Sequence, residues 1–304
     1  MNRILITGAG GFVGAAVADL AARQGHQVTI LVRNPAGARV VALADRCTVA
    51  VGDLADRAAV RAVLTEVRPD IVIHSAWEGV GGPGRAGDIQ LENIRTTVAL
   101  LDEAIAQGAS RFIGIGSQAE YGRHDRRIDE SAATEPFLLY GAAKLSACHL
   151  TRQRATEAGI GFAWLRLFSP YGPGDNPNWL IPSVAAQIIA GRPPRTSPGT
   201  QKWDYLHIAD CAQGILAAAL TDGANGVFNL SSGRSVTVRS IVERIRDLAC
   251  PGLALRFGDI PFGPDQIMHL EGDCSRLTDA TGWMPHIAVE EGLVTVVDAL
   301  RQAA

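Results

Sequence analysis

The chain has 304 residues, 47% of them hydrophobic and 19% charged, which is enough apolar material for a large core. Its formal net charge of −3 comes without a run of like charge, which excludes the basic face that nucleic-acid binding requires. No apolar stretch is long enough to span a bilayer, and Cys47, Cys148, Cys211, Cys250 and Cys274 are odd in number, widely spaced and without a CxxC pair. Free thiols in a reducing cytoplasm are expected, with no metal site and no membrane partner.

The opening MNRILITGAG enters a strand at once, without a basic segment before an apolar one, so no signal peptide is expected. Residues 3–7 read as a strand and 11–24 carry helical spacing. Strands follow at 27–32 and 47–51, then a helix at 55–67. A strand at 70–75 leads to a long helix at 88–107, a strand at 111–116 to a second long helix at 140–158, and a strand closes the series at 161–167. Near-continuous apolar strands separated by helices predict an α/β fold. It is a doubly wound parallel sheet covered on both faces, with ligands at the carboxyl ends of its strands. After about residue 170 Pro and Gly cluster, in PYGPGDNP (170–177) and GRPPRTSPG (191–199), and the later elements read as shorter. The expected division is a dinucleotide-binding domain over 1–170 and a smaller, partly interleaved substrate-binding lobe over 171–304.

The stretch ILITGAGGFVG joins the first strand to the first helix, with Gly8, Gly11 and Gly14 three apart. Glycine there permits positive φ and close backbone approach. The helix opening at Phe12, Val13 and Gly14 offers free amides and a partial positive charge to a pyrophosphate. The spacing departs from GxGxxG, because Val13 stands where that pattern has its third glycine. The second strand ends in LVRNP. Arg33 replaces the carboxylate that would hold a ribose 2′-OH, which favours a 2′-phosphate and hence NADP over NAD; it also reads as a plain surface cation. In VGDL, after the third strand, Asp53 beside Leu54 suits the adenine amino group, or the cap of the next helix, or both.

Tyr140 and Lys144 occur as YGAAK, and positions four apart share a helix face. A phenol ordinarily titrates near ~10. An ammonium one turn away favours its ionised form, so the pair can pass a proton to or from a carbonyl or alcohol oxygen while hydride moves. The chain has only two lysines, which makes a chance pairing uncommon.

TGAGGFVG together with YGAAK resembles the extended short-chain dehydrogenases/reductases, the family of nucleotide-sugar epimerases, dehydratases and 4-ketoreductases. GSQAEYG (116–122), RLFSPYGPGD (166–175), WDYLHIAD (203–210) and SRLTDATGWMP (275–285) extend the resemblance over nearly the whole chain. It implies a Rossmann-like fold and an NAD(P)-dependent oxidoreductase. Ser117 would hydrogen-bond the reacting oxygen, Tyr140 would be the general acid-base, and Lys144 would hold the nicotinamide ribose and tune Tyr140. Ser75 and Ala76 would lie where the fourth strand passes the cofactor, with His74 a satisfied core histidine and Asn93 structural. The resemblance also implies a homodimer through the two long helices.

Departures from the family narrow the chemistry. The 4,6-dehydratases follow the catalytic hydroxyl with Asp-Glu; here Gln118 and Ala119 stand there, which argues against elimination. Ala119 also replaces the cysteine of the bifunctional epimerase-reductases. What remains is hydride chemistry alone. FSPYGPGD and Trp203 look similar to reductases of 4-keto-6-deoxy nucleotide sugars, with a 4-epimerase holding NAD as the alternative and a non-catalytic dinucleotide sensor as a third reading. Gln118, Asn178, Trp179 and Lys202 are candidate substrate contacts, although Trp179 equally suits lobe packing. The family's pyrophosphate arginine is missing from QIMHLEGD (266–273), where Gln266 and His269 stand. Lys202, Arg234 and Arg276 are its possible replacements.

Overall fold

A computed structural model describes residues 1–263 and 265–303. Seven parallel strands form the central sheet: β1 (Arg3–Thr7), β2 (Gln27–Val32), β3 (Thr48–Val51), β4 (Ile71–His74), β5 (Arg111–Ser117), β6 (Gly161–Leu167) and, from the second half of the chain, Gly226–Leu230. Across the sheet β3, β2, β1, β4, β5 and β6 stand in that order, with Gly226–Leu230 outside β6. Alternation along each strand feeds two cores. Ile4, Ile6, Ile113 and Leu165 face one side, whereas Leu5, Phe112, Phe162 and Trp164 face the other. Strands buried on both faces explain the unbroken apolar runs in the sequence.

The first core is covered by α1 (Phe12–Arg23) and by a later helix, Ile208–Leu220. The second is covered by α3 (Arg57–Val67), α4 (Ile89–Ala106) and α5 (Leu139–Ala158). A short helix α2 (Ala38–Leu43), between β2 and β3, was not anticipated from the sequence. The chain then continues through β7 (Pro170–Tyr171), α6 (Leu180–Ile189), β8 (Lys202–Asp204), β9 (Leu206–His207), α7 (Ile208–Leu220), β10 (Gly226–Leu230), β11 (Ser235–Thr237), α8 (Val238–Ala249), β12 (His269–Leu270), α9 (Ser275–Thr281) and α10 (Val289–Ala303). Helices α6, α8 and α10 build a separate core around Ile181, Ile188, Val242, Ile245, Leu293 and Val297. The second half is therefore more regular than its Pro/Gly clusters suggest. No described helix is long and apolar enough to cross a membrane.

The amino ends of the strands are held by Arg111, which is buried at the start of β5. Its Nε and Nη2 donate to the carbonyl of Ala218 in the last turn of α7 (3.1 and 2.9 Å), and its Nη1 donates to Asn225 Oδ1 (3.2 Å). A guanidinium that satisfies otherwise unpaired helix-end carbonyls fastens α7 to the sheet. A shallow polar cavity of about 320 Å³ opens at this end, far from the carboxyl ends where ligands bind in such sheets. Arg111→Met is expected to lower stability by about 3 kcal/mol in urea unfolding, because it strands buried acceptors, while leaving any turnover at the opposite end intact.

Candidate active site

At the carboxyl end of β1 the chain turns at Gly8, with φ +80°. A Cβ on Gly8 would lie 2.5 Å from the backbone nitrogen of Ala76, and one on Gly14 would lie 2.4 Å from the Gly8 carbonyl. Only glycine lets α1 start this close to β1 and to the Ser75–Ala76 backbone. Gly11 is the N-cap of α1 and supplies no side-chain acceptor, so the amides of Phe12, Val13 and Gly14 stay open to a ligand. A bare helix N-terminus in a cradle that Cβ atoms would fill suits a dinucleotide pyrophosphate.

On the far side of β4, β5 ends at Ser117 and turns into a short 3₁₀ helix, Gln118–Glu120. The Ser117 hydroxyl accepts from the Ala119 amide (3.2 Å), while Glu120 Oε1 accepts from the Ser117 amide (2.9 Å), closing a capping box. Glu120 has no exposed surface. Its Oε1 also accepts from Trp164 Nε1 (2.9 Å), and its Oε2 accepts from Arg166 Nε (2.8 Å). Gly114 and Gly116 leave room for the Trp164 ring, since a Cβ on either would come within 2.3 Å of it. Ser117 is thus set by a rigid buried network rather than by a loose loop.

Helix α5 starts directly over this turn. Gly141 permits the approach, because a Cβ there would lie 2.3 Å from the Ala119 carbonyl. The result brings Tyr140 close enough to Ser117 for the serine hydroxyl to act on the phenol's pKa. Burial raises the Tyr140 pKa above its ordinary value, and the Ser117 hydroxyl and the nearby Arg85 charge oppose that rise. Lys144, one turn on, is buried; its Nζ donates to the Ile115 carbonyl (2.6 Å) and sits 3.7 Å from the centre of the Trp77 ring. Burial pushes its amine down to about 7. The cation on the Tyr140 ring is Arg85, at 4.6 Å from its centre, a contact that no reading of YGAAK anticipates.

The other expected residues divide. Gln118 borders Ser117 and its buried Oε1 has no described partner. The Trp179 indole lies against Gly81, where a Cβ would come within 3.1 Å of it, yet the residue stays 41% exposed; Asn178 beside it is also exposed. Arg33 is ion-paired with Glu78, and the pair spans from the β2 side to the β4 side of β1. Asp53 accepts from the Ala55 amide, whereas the α3 cap falls to Asp56, which accepts from Ala58 and Ala59; Leu54 beside Asp53 is half-buried. His74 is buried between the hydroxyls of Thr7 (2.8 Å) and Thr97 (2.9 Å) and is pushed down to about 3, so it is neutral. Asn93 clamps the Glu78 backbone at both its N–H and its C=O. Lys202 is exposed on β8, and no described hydrogen bond or ion pair joins it to the Tyr140 cluster. Arg234 pairs with Glu290, and Arg276 packs over Phe228 beside Gly226, at the amino end of β10 and away from Ser117. His269 is engaged by Glu271 (3.3 Å).

Sequence reasoning missed Trp77, Arg85, Gln90, Glu120 and Arg39. The last donates to the carbonyls of Gly10 and Gly174, linking the glycine turn to the PYGPGDNP loop. Only Glu120 left a signal, as the last residue of a Ser-x-x-Glu capping pattern.

The depressed Lys144 pKa has a testable consequence. Below about pH 7 its amine is charged in both the folded and unfolded chain, and the burial cost is full. Between about 7 and the ordinary 10.5 only the unfolded chain keeps the proton, so this cost fades and stability rises with pH. Lys144→Met in cofactor-stripped protein is therefore expected to melt higher than the parent at pH 6, with the gain shrinking by pH 9. A lower melting temperature at pH 6 would refute it.

The sequence model of the "NAD dependent epimerase/dehydratase family" matches residues 4–231. A UDP-glucose 4-epimerase of Corynebacterium glutamicum is 31% identical over 267 residues, covering 81% of this chain and 80% of that protein. A dTDP-glucose 4,6-dehydratase of Neisseria meningitidis serogroup B is 29% identical over 325 residues, covering 96% and 91%. Among solved structures, the Thermus thermophilus UDP-glucose 4-epimerase complexed with NAD superposes with a TM-score of 0.89 at 23% identity, covering 99% of this chain and all of that one. With the glycine cradle, the β5 terminus and the Tyr140–Lys144 helix in place, the chain belongs to the NAD-dependent epimerase/dehydratase family of extended short-chain dehydrogenases/reductases.

Proposed function

We propose that this enzyme reduces the 4-keto group of a 4-keto-6-deoxy nucleotide sugar, with NADPH as the hydride source. One observation carries the reading. Ser117 and Tyr140 meet at the end of β5 over a buried Lys144, and among the described residues no free carboxylate accompanies them. Gln118 and Ala119 follow Ser117, and both oxygens of Glu120, the acid in that turn, are already taken by Ser117, Trp164 and Arg166. Elimination needs a separate acid and base beside the sugar. Hydride and proton exchange at one carbon does not.

The bound dinucleotide supplies a hydride from its nicotinamide. Tyr140 donates the proton to the developing alkoxide at C4, and Ser117 hydrogen-bonds the same oxygen and holds it in line. Lys144, whose amine now donates to the Ile115 carbonyl, would hold the nicotinamide ribose. Gly8, Gly11, Phe12, Val13 and Gly14 would hold the pyrophosphate, Ser75 and Ala76 would wall the cofactor, and Asp53 and Leu54 would serve the adenine. Arg33 would exchange Glu78 for a 2′-phosphate. Gln118, Asn178 and Trp179 border the sugar, whereas the exposed position of Lys202 leaves it the weakest of the substrate contacts.

A second reading is a nucleotide-sugar 4-epimerase with retained NAD. Two of the most similar curated relatives are UDP-glucose 4-epimerases, solved neighbours were determined with NAD, and Glu78 already neutralises Arg33. We further read the protein as cytoplasmic, since its five cysteines are unpaired, and as a homodimer through α4 and α5, whose outer faces expose Leu91 and Leu150. A monomer by light scattering at micromolar concentration would remove the dimer.

The deciding assay follows NADPH and NADH absorbance with 4-keto-6-deoxy sugars on CDP, dTDP, GDP and UDP. Stoichiometric NADPH consumption on one carrier, lowered at least about 10²-fold in Tyr140→Phe, is expected. Interconversion of an unmodified nucleotide hexose without net oxidation would instead make it the epimerase. Silence in both would reject a nucleotide-sugar substrate.

A further inference from the structure

The segment between β4 and α4, residues 77–87, reads WEGVGGPGRAG and passes for a flexible loop. It is a fastened strap. Gln90, fully buried on α4, donates from Nε2 to the carbonyls of Glu78, Gly79 and Gly84 (3.3, 3.0 and 2.9 Å), and its Oε1 accepts from Trp77 Nε1 (2.8 Å). Gly79, with φ +67°, sits so close that a Cβ would lie 2.8 Å from Gln90 Nε2. The strap carries two side chains onto the chemical pair: Trp77 meets Lys144, and Arg85 stacks on Tyr140.

Arg85 is half-buried and has no ion-pair partner among the described residues. Its Nε is buried, and among those residues it has no hydrogen-bond partner. A buried donor left unmatched costs free energy that a fastened strap has no packing reason to accept. Gln118 Oε1, beside Ser117, is a buried acceptor in the same condition. One orphan donor and one orphan acceptor therefore border the Ser117–Tyr140 pair. Hydroxyl groups of a hexose, which donate and accept at once, match both.

We infer that Arg85 is a positioning residue of this site: its guanidinium holds the Tyr140 ring against Ser117 and donates an N–H to an oxygen of the bound hexose next to the reacting carbon. The inference rests on Tyr140 being the proton donor. The charged and titratable groups facing Tyr140 are Arg85 from the strap, Glu120 from the turn after β5, and Lys144 on its own helix, whose amine is turned toward the Ile115 carbonyl and Trp77. Of these three groups Arg85 is the cation with no ion-pair or hydrogen-bond partner among the described residues, and two functions separate in it: charge toward the phenol and an N–H toward substrate.

The test titrates tyrosinate by ultraviolet difference absorbance in the purified enzyme, assigning to Tyr140 the step that Tyr140→Phe removes, alongside steady-state kinetics. Arg85→Met is expected to move that step upward by about one pH unit and to raise KM and lower kcat about tenfold each. Arg85→Lys should restore the titration, and Arg85→Gln, which keeps an N–H without charge, should restore KM but not the titration. A Tyr140 step unmoved in folded Arg85→Met, or a lower melting temperature with unchanged KM and titration, would overturn the proposal and leave Arg85 a packing residue. If the Met variant does not fold, the Lys and Gln variants decide the same question. Full turnover in Tyr140→Phe would instead refute the functional reading on which this one stands.

Discussion

The site depends first on a carboxylate that never reaches it. Burying an ionised Glu is costly unless its oxygens are filled and a counter-charge is close. Glu120 meets that condition with the Ser117 amide, the Trp164 indole and the Arg166 guanidinium. Arg166 is in turn stacked 4.3 Å over Tyr121, whose hydroxyl donates to Asn229 (2.6 Å) on β10. One buried charge thus ties β5, β6, β10 and the turn that carries Ser117 into a unit with little freedom. Small movements of Ser117 would break several bonds at once, which is how a strand end acquires the fixed geometry that proton transfer needs.

The two ends of the sheet divide the work. At the amino ends Arg111 directs its donors to backbone carbonyls and to Asn225, and none of its N–H groups waits for a ligand. At the carboxyl ends the pattern inverts. The α1 amides, Arg85 Nε and Gln118 Oε1 lack partners among the described residues, and Lys144 is a buried amine held near neutrality. Unpaired groups beside a site are expected where binding supplies the missing partners, although Gln201, Asp210 and Ser231 also carry a buried oxygen without a partner among the described residues.

How much of this was legible in the sequence follows from the range of the interactions. The strands and long helices were readable because burial on both faces writes itself into apolar periodicity. The glycine turn was readable because Gly14 answers a contact with Gly8 six residues earlier, although the Ser75–Ala76 backbone that Gly8 itself makes room for lies far away in the chain. YGAAK marked the chemical helix, but the close approach to the Ser117 turn that Gly141 permits was not read from it. The parallel pairing of Gly226–Leu230 with β6 was not legible, since it joins segments far apart in the chain. Nor was α2, whose six residues are too few to show a period. The cap of α3 went to Asp56 rather than Asp53 because both suit an N-cap by type and only the path of the turn decides between them. Arg85 and Arg276 look alike in sequence, yet one stacks on Tyr140 and the other lies at the far end of the sheet. Composition has no term for which end of a strand a loop returns to.

This arrangement also accounts for how a shared fold supports different reactions. Behind Ser117, Glu120 and its partners fix the backbone whatever stands at 118 and 119. Ala119 contributes its amide to Ser117 and its carbonyl to the Gly141 contact, both backbone groups, so its side chain is free of structural duty. Carboxylates placed at those two positions would add an acid and a base to an unchanged frame. Gln118 and Ala119 add neither, and on the proposed reading proton exchange is left to Tyr140. On that reading, reaction type in this chain is set by two side chains carried by a turn, while the strap that brings Arg85 is anchored outside that frame, by Gln90.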